Sequence, residues 1–114
     1  MTRRTERINE LLREEISELI RRDMKDPRIG GLITITEVDV SPDLRTAKVH
    51  VSVMGTAEQK ASTFKALRAA SHFLQREIRS RITIRRMPEF TFLPDESMER
   101  AARILDLLDH AREE

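Results

Sequence analysis

Lys65, Arg68, His72, Arg76 and Arg79 recur at spacings of three and four. On a helix turning about 100° per residue they fall within an arc of roughly 80°. A row of cations on one helical face is an arrangement that meets the phosphates of a nucleic acid. Arg81, Arg85 and Arg86 continue the basic run, and Glu77 is the one acid set against seven cations between Lys65 and Arg86. A charged helix face is most often merely solvated. Residues 1–32 show what that looks like in this chain, with eight basic groups balanced by seven acidic ones. The middle segment lacks such balance, and its self-repulsion calls for a polyanionic partner. Arginine supplies 17 of the 21 cations, a bias toward the planar donor fork that suits phosphate oxygens. Phe73, beside the stripe, reads as a core contact before it reads as a stacking platform.

Catalytic chemistry lacks its parts. The three histidines, His50, His72 and His110, stand in no metal-ligand spacing, and with no cysteine there is neither a thiolate metal site nor a thiol nucleophile. Gly30, Gly31 and Gly55 form no phosphate-cradling run, and no serine sits in a nucleophile elbow. The adjacent carboxylates Glu14-Glu15 and Asp95-Glu96 are explained by solvation and by a helix start. A non-enzymatic protein without metal or cofactor is expected.

The elements that must carry the stripe follow from periodicity. Ile8, Leu11, Leu12, Ile16, Leu19 and Ile20 recur as a buried helical stripe between Thr5 and Lys25, with Thr5 placed to cap the start and Asp26-Pro27 to stop the helix. Glu6 and Glu10 stand within reach of arginines one turn away. Leu32 to Val40 and Ala47 to Val53 read as a hairpin around Ser41-Pro42-Asp43. The first strand changes phase between Ile35 and Val38, which implies either a bulge near Thr36 or Glu37 or burial on both faces. Phe64, Leu67, Ser71, Leu74 and Ile78 define a second long helix between Ala57 and Arg79, with the basic stripe on another of its faces. Glu89 to Leu93, fenced by Pro88 and Pro94, reads as a short edge strand. Ser97 is placed to cap a last helix, Met98 to Arg112. Residues 98–114 are its acidic C-terminal part, and its broad apolar face, Leu105 and Leu108 included, is expected to dock on the body.

The order helix, strand, strand, helix, strand, helix gives a single α+β domain over residues 1–114, with a three-stranded sheet and helices on one face. Charge is polarised along it: residues 56–88 carry a balance of +6 and residues 89–114 one of -5 under a formal total of +1. No stretch free of Asp, Glu, Lys and Arg exceeds nine residues, too short for a membrane span, and no apolar signal region precedes the first helix. A cytoplasmic protein with no membrane contact is expected.

The runs Asp26-Pro-Arg-Ile, Ile33-Thr-Ile-Thr-Glu-Val-Asp-Val-Ser-Pro-Asp-Leu-Arg45, Ala47-Lys-Val-His-Val-Ser-Val-Met-Gly55, Arg86-Met-Pro-Glu-Phe-Thr-Phe and Asp95-Glu-Ser97, in this order and spacing, closely resemble the ribosome-binding factor A family. The resemblance covers nearly the whole chain. It implies a KH-like fold of type II order without a Gly-x-x-Gly loop, and a helix kinked where Ala70-Ser71-His72 aligns with an Ala-x-Gly. Histidine here replaces the flexible residue and adds to the stripe a side chain that can carry a positive charge. A serine back-bond to a carbonyl one turn earlier is the expected cause of the kink. The resemblance also implies a non-catalytic factor that binds the immature small ribosomal subunit and its rRNA late in maturation. It implies help with processing of the 5′ end of that RNA, importance in the cold, and release by a ribosome-assembly GTPase. A monomer is expected. The RNA-facing surface maps onto Lys65, Arg68, His72, Arg76 and Arg79, with Arg81, Arg85 and Arg86 beyond. Two other readings stay open on the residues alone, a protein-interaction adaptor and a general nucleic-acid chaperone.

Overall fold

In the computed structural model, which describes residues 3–23 and 32–113, the first apolar stripe becomes helix α1, Arg3–Asp23. Leu12, Ile16 and Leu19 are fully buried and Ile20 nearly so. The helix begins two residues before Thr5, so Thr5 lies inside it and is not its cap. Lys25 and the expected stop at Asp26-Pro27 lie outside the described residues.

Strands β1 (Leu32–Val40) and β2 (Thr46–Met54) form the antiparallel hairpin, with Val40 opposite Ala47 and Leu32 opposite Met54. The register shifts between Ile35 and Glu37, so the phase change in β1 is a bulge at Thr36. One extra residue returns Val38 and Val40 to the buried side that Ile35 already occupies. The turn is held by Leu44 N–H donating to the Ser41 carbonyl at 2.9 Å and by Asp43 Oδ1, which accepts from the Ser41 hydroxyl and the Arg45 N–H.

Thr56 then opens helix α2, Ala57–Ala69, with a reciprocal capping box: Gln59 N–H donates to Thr56 Oγ1 at 3.1 Å, and Thr56 N–H to Gln59 Oε1 at 2.8 Å. A Cβ at Gly55 would stand 2.5 Å from Gln59 Oε1, so a larger residue there would push the glutamine side chain out of the capping box. The long second helix is broken at Ala70, where φ is −88° and ψ 0°, and resumes as α3, Ser71–Arg81. Ala70 N–H is shared between the Ala66 and Leu67 carbonyls, and its own carbonyl accepts from Leu74. The kink stands where Ala70-Ser71-His72 places it. The Ser71 hydroxyl makes no bond to a carbonyl among the described residues, so the tightening of the last α2 turn, and not a serine back-bond, accompanies the break.

Strand β3, Glu89–Pro94, lies parallel to β2 at the sheet edge, with Phe90 opposite Ala47 and Phe92 opposite Val49. Both phenylalanines turn into the core, edge to face at 6.3 Å. Helix α1 packs on β1, while α2 and α3 pack against β3, and these helices cover the apolar sheet face. This is a KH-like α+β fold.

Helix α4, Ser97–Glu113, departs from expectation. Ile104, Leu105, Leu107 and Leu108 are all more than half exposed, and the helix does not dock on the body. The sheet face it would need is already occupied by α1, α2 and α3. Its base is nevertheless held. Asp95, and not Ser97, supplies the cap: Oδ1 accepts the Ser97 N–H at 2.9 Å, and Oδ2 accepts from the Thr36 hydroxyl at the β1 bulge at 2.6 Å. A hydrogen bond from the Ser97 side chain, then those from Thr36 and the Ser97 N–H, hold the Asp95 carboxyl down at about 2. One helical turn on, Glu99 pairs with Lys60 of α2 at 2.8 Å.

Candidate nucleic-acid interface

The break at Ala70 divides the cationic stripe between two helices. Lys65 and Arg68 stand on α2, and His72, Arg76 and Arg79 on α3, all of them exposed. Beneath them Phe64, Leu67, Leu74 and Ile78 are buried, so packing of the apolar face fixes the direction of the basic one. The Arg68 guanidinium lies over the Phe64 ring, 5.6 Å from its centroid, which restrains the head of the side chain.

His72, Arg76 and Arg79 line a cleft of about 340 Å³ together with Gln75 and Met87. Gln75 Nε2 donates to the Pro88 carbonyl at 2.7 Å and so fastens the residues before β3 against α3. No carboxylate reaches these cations in an ion pair among the described residues. On α1 the opposite holds: Arg13 pairs with Glu10, and Arg22 with Glu18 at 2.7 Å.

The remaining three arginines of the run part company. Arg81 turns to α1, where its guanidinium lies 3.8 Å from Glu15 and its side chain is 29% exposed. That distance is an ion pair rather than a hydrogen bond. Arg86 is exposed on the loop after α3. Arg85 reaches across to the start of α1, where it joins Arg3, Arg4 and Arg7 around a second hollow. Sequence reasoning had read α1 as a balanced, solvated helix and had missed this grouping. The available signal was the placement of three arginines in the first two turns, the end of a helix that disfavours cations.

No group of three His, Cys, Asp or Glu side chains comes together to hold a metal among the described residues. No described helix is long and apolar enough to cross a membrane. What remains is a surface of guanidinium donors over a packed apolar layer, suited to phosphate oxygens.

Fold and surface together define the class, a KH-like protein with a basic helical face. The chain belongs to the ribosome-binding factor A family, whose sequence model matches residues 4–108. It is 49% identical over 106 residues to ribosome-binding factor A of Acetivibrio thermocellus, covering 93% of this chain and 86% of the relative. To the Microcystis aeruginosa protein of the same name it is 43% identical over 111 residues, covering 96% and 87%. Among solved structures, it is similar to the crystal structure of ribosome-binding factor A from Thermus thermophilus, with a TM-score of 0.69, 28% identity, and coverage of 79% of this chain and 94% of that one. A homology model of the Thermus factor, fitted into the cryo-EM map of a 30S–RbfA complex, matches with a TM-score of 0.60 and 27% identity over 85% of this chain and 97% of that one.

Proposed function

We propose that this chain binds the immature small ribosomal subunit late in its maturation, holds its rRNA through the α2–α3 face, and assists processing of the 5′ end of that RNA without catalysis. The observation that carries the RNA reading is the cleft where His72, Arg76 and Arg79 converge with no acid paired to them among the described residues. Arginines in that state gain more from phosphate than from water, because their mutual repulsion is relieved and condensed counterions are released. Family membership supports the choice of ribosome over other polyanions, as does the Thermus relative fitted into a map of its 30S complex. Lys65 and Arg68 extend the contact along α2, Arg85 and Arg86 extend it past α3, and Arg81 contributes from its pair with Glu15. The protein works as a monomer in the cytoplasm, needs no cofactor, matters most in the cold, and leaves the subunit when an assembly GTPase displaces it.

Co-sedimentation tests this reading. The protein should travel with immature small subunits in preference to mature ones, and cells without it should accumulate small-subunit RNA with an unprocessed 5′ end. Equal binding to mature subunits and unrelated RNA would favour a general chaperone. Capture by a protein through the exposed face of α4, with no RNA affinity, would favour an adaptor.

A further inference from the structure

The segment between α3 and β3 separates two basic hollows. Met87 lines the one described above, while Thr83, Ile84 and Arg85 line the other, of about 460 Å³, at the start of α1. That volume falls within the range of sites that hold small ligands, about 300–1,000 Å³. Its rim is Arg3, Arg4, Arg7 and Arg85, and its floor is apolar, made by Ile8, Leu11, Leu44 and Ile84.

Three observations set this hollow apart from a solvated helix end. The four rim arginines have no ion-pair partner among the described residues, whereas Arg13 and Arg22 on the same helix are paired. Three of the four sit in the first turns of α1, against the helix dipole, so the ligand-free protein gains nothing from their position. The floor holds the third: Leu44 adopts φ 61°, the one non-glycine residue at positive φ among those described. Asparagine or glycine would fill that turn position without strain. Leucine instead packs against the core and covers the base of the hollow.

We propose that this hollow receives one unpaired nucleotide of RNA, with its base on the Ile8, Leu11, Leu44 and Ile84 floor and its flanking phosphates on the rim arginines. The proposal rests on the RNA reading above and adds to it a choice of single strand over duplex. In a duplex the base faces are stacked and hidden, so a concave apolar floor can be filled only by a base that has left the stack. An acidic peptide would satisfy the arginines but offers no flat apolar face for the floor. The loop residues Arg85 and Arg86 lie between the hollow and the cleft at Arg79, so one RNA strand passing over the loop would engage both.

Fluorescence anisotropy with a labelled ten-residue oligoadenylate, single-stranded or annealed to its oligouridylate complement, tests the assignment. Leu44→Asn keeps the turn and removes the floor. It should weaken single-strand binding about ten-fold, change duplex binding by less than about two-fold, and leave the salt slope as it was. Arg4→Gln with Arg7→Gln should make the single-strand slope of log affinity against log salt shallower by about 1.4. Unchanged thermal melting of both variants would show that the fold is intact. The proposal is overturned if Leu44→Asn leaves single-strand binding unchanged, or weakens single strand and duplex alike. Arg76→Gln with Arg79→Gln separates the two readings: if that pair alone weakens binding, the α3 surface stands and the hollow falls. If only the Leu44 and Arg4/Arg7 variants weaken it, the hollow stands and the α3 surface falls. Binding of a glutamate-rich peptide in place of either RNA would overturn both.

Discussion

Helix α1 and the α2–α3 pair bury comparable apolar stripes but treat their charges in opposite ways. Along α1, Arg13 and Arg22 are each answered by a glutamate one turn away, and Glu15 also meets Arg81. Across the break at Ala70, His72, Arg76 and Arg79 gather around a cleft with no acid in reach among the described residues. Both regions are rich in arginine, so composition does not separate them. Compensation does: a paired surface is complete in water, while an unpaired one is complete only against an anion. The start of α1 belongs electrostatically with the second group, because Arg3, Arg4 and Arg7 gather with Arg85 and have no ion-pair partner among the described residues.

If the two regions differ in charge but not in packing, their cores should respond alike. Leu12 on α1 and Leu74 on α3 are both fully buried. Replacing either by alanine should destabilise the protein by about 2–5 kcal/mol in urea unfolding. Leu105→Ala on α4, where the side chain is 63% exposed, should change stability by less than about 0.5 kcal/mol. A loss at Leu105 as large as that at Leu12 would mean that α4 packs on the body in solution.

That contrast also marks where the sequence stops being informative. The phase change in β1 was legible in the switch from Ile33 and Ile35 to Val38 and Val40, while the choice between a bulge and burial on both faces needed the strand register, which shifts between Ile35 and Glu37. The undocked α4 was not. Its spacing of leucines states that an apolar stripe exists, but not whether any apolar sheet face is left to receive it. Nor could the grouping of Arg85 with Arg3, Arg4 and Arg7 be read from the chain, since it depends on where the loop after α3 packs. The eight cations of the expected RNA surface are exposed, and their division among cleft, α1 contact and second hollow is a tertiary property.

A smaller effect is expected where α4 leaves the sheet. Asp95 has its pKa lowered from 3.8 to about 2, chiefly by the hydrogen bond from the Ser97 side chain and next by that from Thr36. Because the folded value lies below the unfolded one, the carboxylate stabilises the fold fully above pH of about 4, and the contribution is lost as pH falls through about 2. With allowance for solvent screening, Asp95→Asn should cost about 1 kcal/mol at neutral pH. It should also flatten the stability profile between about pH 4 and 2. An acid limb identical to that of the parent protein would contradict the role given to this cap.

The smallest effect belongs to the Lys60–Glu99 pair, whose side chains are 29% and 23% exposed. Lys60→Met should lower global stability by no more than about 1 kcal/mol. Amide exchange in the first turns of α4 should quicken more than exchange in α2, because the pair anchors an otherwise unpacked helix. Unchanged exchange in α4 would show that Asp95 alone holds it.

The central claim is that uncompensated cations on α3, and not cations in general, hold the RNA. Its most direct test compares two neutralised pairs on labelled small-subunit RNA across a salt series: Arg76→Gln with Arg79→Gln, and Arg13→Gln with Arg22→Gln. If about four cations of the α2–α3 surface each meet a phosphate, the parent protein should show a slope of log affinity against log salt of about −3 to −4. The α3 pair should make it shallower by about 2 and weaken binding at low salt, while the α1 pair should leave the slope within about 0.5 of the parent. Equal changes from the two pairs, or an unaltered slope in the α3 variant, would contradict the account.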